Sequence, residues 1–600
     1  MARKFCVIDA EGARNDLQGV AFWSEESQIY LQTPDVIRDH LMMHAERGYT
    51  LVAHNASYDL PVIFWTLNLP MKAIYYDSAF NRGRWTYDAR RPACELWDSF
   101  NLSGGLSLRS LGEAIGLEKY STPQVLRGID PNKYEWICTK HARWECIECY
   151  ALRDAEIVYR YLEQFMGVLH AWGVRPACRI AGCAQAVWRA LDRPEPIRLE
   201  DPKMRYLARQ AYYGGRVECL SLGHISPLYT ADVQSMYPSV MAEGNFPDPA
   251  HMVHVRDPRW CDLPLGAEGV VECQVKVPAS ALPPLPNTYR GSRVFGSGLQ
   301  RGFWTLAEIR YATSLGAEVL RVYQACYGLQ SIRPFTQFVA TLWEMRQEYK
   351  RRGDPRSQTV KALLNNAYGR LGLRGGVTQE TIEPWDPALS AADYAKMHAP
   401  RHETPSRGRR VSLSDSRGVF ADVCEGQPFV RVRSGVGYDH AWVNVLWAAQ
   451  ITALARIKLH RYLLLQGDAA VYADTDSVFS RAPIVGLGEG LGALSDPQTY
   501  ARGWIVGPKL YRLERADGSD VVKAKGVPRD KALAFLKGRE VVFSSPVSPR
   551  AQMRGAGSAG TWIELHRTQQ LVPHRRTPVN PAALESDYGW TRTLPHHYGL

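Results

Sequence analysis

Apolar and polar positions along the chain follow two periods. In FCVIDAEG (residues 5–12) and VYADTDSVF (residues 471–479), β-branched and aromatic residues are interleaved with acids, the period-two pattern of a strand. Read as one strand, the second run sends Tyr472, Asp474 and Asp476 to a single face. Two carboxylates side by side on an apolar strand repel unless a cation meets them. Asp9 and Glu11 share a face at the end of the first run in the same way. A third run, LYTADVQSMYPSVM (residues 228–241), reads as a strand that carries Asp232. The helical period governs residues 36–48, 150–173 and 440–466, and residues 335–374 read as a helical pair with a basic turn.

These elements divide the chain. Over residues 1–175, strand-like and helix-like segments alternate, which predicts a mixed α/β domain closed by the helix at 150–173. Residues 176–225 form a linking region containing the Gly pair of QAYYGGRVECL. Residues 246–334 begin with Pro- and Gly-rich loops and short strands, and residues 375–433 are polar, punctuated and Arg-rich, an insertion between structured units. The acid-bearing runs at 226–245 and 434–515 flank these insertions, and residues 516–600 are mixed and basic.

Six hundred residues are too many for one core, and 45% hydrophobic with 10% aromatic residues fits a folded enzyme and excludes a disordered chain. A formal charge of +11, with Lys and Arg spread along the chain, points to a polyanionic partner held in a channel or cleft. Twelve cysteines without regular spacing argue for a reducing compartment and against a disulfide framework. Cys138, His141, Cys146 and Cys149 have a spacing that could ligate zinc, but the helical period around them favours buried thiols. No apolar stretch reaches the about 18 residues a membrane span needs, and no leader opens the sequence, so a soluble cytoplasmic protein without membrane contact is expected.

The acids suggest metal chemistry. Asp9, Glu11, Asp59 in HNASYD and Asp154 come from three elements, and Tyr150 lies four residues before Asp154 on the same helix face. Such carboxylates could hold two divalent ions, with Tyr150 orienting a water for attack on phosphorus. The order Asp-x-Glu, Asn-x-x-Tyr-Asp, Tyr-x-x-x-Asp resembles the proofreading exonucleases of the DEDDy class.

ADVQSMYPSVM, KALLNNAYGRLG and VYADTDS, in that order, are similar to motifs A, B and C of family B DNA polymerases, and the resemblance covers residues 5 to about 530. It implies an RNase-H-like exonuclease domain followed by palm, fingers and thumb, acting as a DNA-directed DNA polymerase with a 3'–5' exonuclease. By resemblance, Asp232, Val233 and Asp476 hold two Mg2+ or Mn2+ ions with Asp474 in support, and Asp9, Glu11 and Asp154 hold the editing pair. Ser235, Tyr237 as steric gate, Arg346, Lys350, Lys361, Asn365 and Tyr368 would contact the incoming deoxynucleotide. The resemblance also implies DNA contacts from Tyr213, Gly214, Gly215, Lys509, Tyr511, Lys523 and Lys525, and editing-strand contacts from Asn55, Tyr58, Ser99 and Phe100. Lys119 is the nearest candidate for the family's editing-site lysine, and Asn366 departs from the common Asn-Ser pair of motif B. The two insertions resemble those of the protein-primed polymerases of phages and linear plasmids, implying a terminal-protein partner beside primer-template DNA, and a monomer. Alternatives are an enzyme extending ordinary primers, one using or copying RNA, and a replication accessory with dead sites.

Overall fold

The computed structural model describes residues 3–120 except 14, 15, 77, 78 and 89; 137–138, 143–144 and 146–373 except 290 and 291; 377–384, 386, 388–389, 420–423, 429–436 and 442–546; and 562–567, 590–591 and 596–598. In the N-terminal module, β1 (Phe5–Ala13), β2 (Asp16–Trp23) and β3 (Gln28–Leu31) form a meander, followed by α1 (Pro34–Glu46), β4 (Thr50–Ala53) and α2 (Ala56–Thr66). β5 (Met71–Tyr76) and β6 (Ala79–Trp85) pair antiparallel and lead to β7 (Cys94–Asp98), which lies parallel to β4, itself parallel to β1. Among the described residues, three helices complete the module: α3 (Ser99–Leu102), α4 (Leu108–Ile115) and α5 (Ile147–His170).

Parity along β1 divides the module's core. Cys6, Ile8 and Ala10 are buried with Ile37 and Leu41 of α1 and Leu60 of α2, whereas Phe5 and Val7 are buried with Ala151, Ala155 and Val158 of α5. Asp9 and Glu11 share the parity of Phe5 and Val7, so the alternation of β1 delivers both acids to the α5 side.

After α6 (Ile180–Asp192) and α7 (Pro202–Gln210), the chain enters β8 (Val217–Cys219), β9 (Ser221–Ile225), β10 (Leu228–Asp232) and α8 (Met236–Glu243). The strand expected through 228–241 stops at Asp232 because Ser235 takes φ +51° and Met236 opens a helix. The first insertion is a sheet rather than mainly loops: β11 (Met252–Arg256), β12 (Gly269–Val277), β13 (Ser297–Thr305), α9 (Leu306–Ser314) and β14 (Glu318–Gly328). The expected helical pair is α10 (Thr336–Arg351) and α11 (Arg356–Asn366).

The second insertion contains β15 (Val377–Pro384), β16 (Phe420–Val423) and β17 (Phe429–Val436), and β15 pairs with β5, adding all three to the edge of the N-terminal sheet. The boundary expected at residue 434 therefore cuts a strand, β17, that belongs to this sheet. α12 (Val445–Gln466) is buried along most of its length and leads to β18 (Ala470–Asp474), β19 (Ser477–Ser480), β20 (Gln498–Tyr500), β21 (Arg502–Gly507), β22 (Leu510–Glu514), β23 (Asp520–Ala524) and α13 (Arg529–Leu536). The central sheet runs β8-β18-β19-β10-β20, and a second runs β23-β22-β21-β9. Residues 590–591 and 596–598 return to the first-insertion sheet and to β9.

The single strand expected through 471–479 is a hairpin. Asp474 lies opposite Ser477, so Thr475 and Asp476 form a two-residue turn, and Thr475 takes the φ of +65° that such turns require. The period-two reading of Tyr472, Asp474 and Asp476 thus fails beyond Asp474.

Two buried ion pairs brace the first insertion, one against α12 and one against the chain beside this hairpin. Arg456 of α12 meets Glu308 of α9 at 2.7 Å, both at most 2% exposed, and also donates to the carbonyls of Tyr213 (2.6 Å) and Gly214 (2.9 Å). Arg216, fully buried, pairs with Glu218 at 2.6 Å and donates to Pro283 O at 3.0 Å. Removing one member of such a pair strands the other in a dry site. Arg456→Met should lower the free energy of unfolding by about 3–5 kcal/mol, measured by chemical denaturation, and Glu308→Gln by less.

Candidate active sites

The first carboxylate centre is assembled between β1, α2 and α5. Asp9, Glu11 and Asp154 offer ligand oxygens within 4.8 Å of one another, the one such group of three among the described residues. Burial first, then mutual repulsion, pushes Asp9 up to about 7 and Glu11 up to about 10, and burial raises Asp154. Asp59 stands slightly apart, accepting from Ala10 N at 3.2 Å, and burial and Asp9 push it well up. Asp154 Oδ1 is buried without a hydrogen-bond partner. A crowded, partly unpartnered set of hard oxygen donors fits divalent cations such as Mg2+ or Mn2+.

Lys119 reaches this centre: its ammonium ion-pairs with Asp154, donates to Tyr150 OH at 2.8 Å and lies 4.2 Å above the Tyr150 ring. Position in the sequence made it only the nearest candidate; the side-chain contacts put it beside both Tyr150 and Asp154. Asp98, which no sequence pattern singled out, accepts from Asn55 N and Phe100 N at 2.9 Å each, fixing the left-handed Asn55 (φ +65°) beside α3. Burial raises Asp98 to about 6. Asn55 is exposed, Tyr58 half-buried, and Phe100, 39% exposed, meets His54 edge-on at 5.8 Å. Ser99 differs from expectation as a strand contact. It is fully buried, and its hydroxyl is spent on Ala53 O (3.2 Å) and the His54 ring (2.9 Å). Among the possible zinc ligands, Cys146 caps the N-terminus of α5 and accepts from Cys149 N, and Cys149 lies in its first turn, while the Cys138 side chain and His141 lie outside the described residues.

The second centre lies where β10 meets the β18–β19 turn. Ser477 Oγ donates to Asp232 Oδ1, and Val233 N donates to Asp476 O at 2.8 Å, which sets Asp232 beside Asp476. Burial, then Asp232, raises the Asp476 carboxyl to about 6. Asp474 is relieved differently from the expected cation: Lys509 Nζ donates to both of its oxygens, at 2.7 and 2.8 Å, and Tyr472 OH to Oδ2 at 3.3 Å. The exposed Asp232 carboxylate and the raised Asp476 are therefore the pair that fits a divalent cation, with Asp474 held aside.

Around this pair, Tyr237 stacks on Tyr368 with ring centroids 4.2 Å apart. Tyr368 lies beyond the end of α11 in a 3-10 turn, so Lys361, Asn365 and Tyr368 do not share one continuous helix. Asn366 turns back to Ala362 O at 2.8 Å. Arg346 donates to Ser235 Oγ at 2.9 Å, and burial lowers its pKa. Lys350 and Lys361 are exposed and make no ion pair among the described residues.

Of Tyr213, Gly214 and Gly215, the last leans on the β18–β19 turn. A Cβ on Gly215 would lie 2.9 Å from Thr475 Cγ2, one on Gly214 2.9 Å from Arg293 Nη1, and Thr475 N donates to Arg216 O at 2.7 Å. A cleft of about 760 Å³ opens beside Asp474 and is lined by Lys509, Lys523, Lys525 and Arg529. Tyr511 lines it too, but its ring is 8% exposed and packs against Tyr472 and Phe479, so Tyr511 is largely a core residue.

No described helix is long and apolar enough to cross a membrane. Residues 180–389 match the family described as DNA polymerase type B, organellar and viral. The chain is 22% identical over 529 residues to a probable DNA polymerase of Ascobolus immersus, covering 84% of this chain and 41% of that protein, so it spans under half of that relative's length. Phi29 DNA polymerase complexed with primer-template DNA matches with TM-score 0.68 at 14% identity, over 95% of this chain and 100% of that one. Its ternary complex with primer-template DNA and incoming nucleotide matches to the same extent and identity. The complex with single-stranded DNA gives 0.67 at 14% identity over 95% of this chain and 100% of that one. The chain thus has the multidomain fold of phi29 DNA polymerase.

Proposed function

We infer that this chain is a DNA-directed DNA polymerase of family B carrying its own 3'–5' proofreading exonuclease. The observation that carries the reading is the approach of Asp232 to Asp476 from two distant segments, close to a Tyr237–Tyr368 stack and to Arg346, which is bonded to Ser235. In this reading the N-terminal module edits, the central sheet with β21 and β22 is the palm, α10 and α11 are fingers, and β23 with α13 begins the thumb.

Asp232, Asp476 and the Val233 carbonyl would hold two Mg2+ or Mn2+ ions for synthesis, and Asp9, Glu11 and Asp154 two for editing. When bound, such ions neutralise phosphoryl oxygens and acidify the attacking hydroxyl or water. The remaining duties fall to this chain's side chains, since phosphoryl transfer is mostly positioning and charge neutralisation. Lys350, Lys361 and Arg346 attract and orient the triphosphate of the incoming deoxynucleotide, and Asn365 adds an amide. The Tyr237 ring, fixed by Tyr368, excludes a 2'-hydroxyl by contact. Lys523, Lys525 and Lys509 draw the primer-template backbone into the cleft beside Asp474. In the editing site, Asn55, Tyr58 and Phe100 hold an unpaired 3' end, while Tyr150, held by Lys119, orients water.

The folded first insertion and the union of β15 with β5 support the branch that is protein-primed and strand-displacing, acting as a monomer. The test is extension of a primed single-stranded circle without helper proteins, with Mg2+, with deoxy- or ribonucleotides, and with and without a candidate terminal protein. Products longer than one circle, made from deoxynucleotides only, are expected. No synthesis would overturn the polymerase reading, efficient ribonucleotide use the gate, and stalling at the primer's 5' end the strand-displacing branch.

A further inference from the structure

Asp232 is the last residue of β10, and the next turn is strained at Ser235, so nothing in β10 itself holds its final peptide in place. One flank is the β18–β19 hairpin already described. The other is the chain at residues 492–500, from a Gly-rich stretch that carries no recognised pattern. β20 pairs with β10 in regular register, Leu228 with Tyr500 through Thr230 with Gln498, yet the next bridge joins Val233 to Leu494. Three steps along β10 thus face four along its neighbour, a bulge of one extra residue beside Asp232. Pro497 stands at the bulge and has no N–H to give the ladder.

Ser495 fills that gap. Its Oγ accepts from Asp232 N at 3.2 Å, and its own N donates to Asp232 O at 2.9 Å. The same segment goes on to clamp Gln234, whose N donates to Ala493 O (2.9 Å) and whose O accepts from Gly492 N (2.8 Å). Gly492 O in turn accepts from Tyr462 OH of α12 at 2.9 Å. Gly492 sits at φ +80°, and a Cβ there would fall 2.2 Å from Lys458 Nζ and 2.6 Å from Ser239 Cβ, so the strap presses its backbone against α8 and α12.

We propose that residues 492–495 are a positioning strap for the synthetic centre, with Ser495 as the positioning residue that fixes the Asp232 carboxylate and the Val233 carbonyl where a divalent cation is held. The assignment rests on the polymerase reading for its activity arm, but its structural and metal-binding arms do not.

The test uses the full chain with Asp9→Ala and Glu11→Ala, which silences the other carboxylate centre, and compares Ser495→Ala, Ser495→Val and Ser495→Thr. Thr and Val have the same shape, so they separate the hydroxyl from packing. Mn2+ affinity is read by electron paramagnetic resonance, amide exchange in the peptide containing Asp232 by mass spectrometry, and single-nucleotide incorporation as kcat against KM. Loss of a group that orients a metal ligand typically weakens binding or activity about 10–100-fold, so Ala and Val should lose at least about 10-fold in Mn2+ affinity and in kcat, with nucleotide KM little changed. Exchange at Asp232 should quicken in both, and Thr should restore all three. Equal Mn2+ affinity and exchange in Ala and the parent would overturn the strap, as would loss in Thr and Val alike. A parent chain that binds Mn2+ but incorporates no nucleotide overturns the polymerase reading instead, leaving the first two measurements to decide Ser495.

Discussion

Asp476→Asn should abolish primer extension, lowering single-nucleotide incorporation by about 10³-fold or more, while degradation of an unpaired 3' end continues. The size follows from the loss of one anionic metal ligand at a phosphoryl-transfer centre, worth on the order of 4 kcal/mol of transition-state stabilisation. Asparagine preserves the shape of the turn and the backbone bond from Val233 N to Asp476 O at 2.8 Å, so the hairpin survives. Asp474→Asn should cost less, because Asp474 is already neutralised by Lys509 at 2.7 Å and stands aside from the Asp232–Asp476 pair. Pre-steady-state incorporation on a primer-template checks both, and equal losses would contradict the separation of roles.

The second large effect is at the other centre. Asp9→Ala with Glu11→Ala should reduce 3'–5' degradation of single-stranded DNA by about 10³-fold or more while leaving primer extension intact, since each lost carboxylate removes several kcal/mol of metal-assisted catalysis. The same variant should gain stability. Asp9 is raised from 3.8 to about 7 and Glu11 from 4.5 to about 10 by burial and repulsion, so folding favours their protonated forms. A carboxyl whose folded pKa is raised contributes stability in full below its unfolded pKa, and that contribution is lost as pH rises through the folded value. In chelator the native chain's Tm should therefore fall between about pH 4 and about pH 7. The double variant should fall less, and Mg2+ should flatten the native curve at the upper end. A native curve that rises with pH over that window would refute the crowded, metal-seeking reading.

Much of the candidate chemistry is legible because β-strand parity and helix periodicity are local. The period of two in β1 fixes that Asp9 and Glu11 point together, and the spacing of four places Tyr150 and Asp154 on one face of α5. The same logic misreads residues 471–479, because an apolar run flanking two acids looks alike as one strand or as two strands joined by a tight turn. What decides between them is pairing with β10 and β8, which lie far away in the chain. Tyr511 and Ser99 illustrate a related limit: a side chain's type suggests a contact, but only its neighbours determine whether its polar group is free or already spent.

Lys119, Asp98, Arg456, Glu308 and Ser495 carry no local signal, since each acts on a residue brought close by the fold. The second insertion reads as polar loop because strands such as β15 (VTQETIEP) and the chain around them are rich in polar residues, and only pairing of β15 with β5 makes it an extension of the N-terminal sheet. The sequence by itself determined the acids available for metal chemistry and the faces of β1 and α5, because these depend on residue identity and on periodicity within one element. Tertiary structure alone decided that Asp232 meets Asp476, that Lys509 takes Asp474, that Lys119 reaches the Asp9–Glu11–Asp154 cluster and that Ser495 closes the ladder, because long-range pairing sets which charges become neighbours.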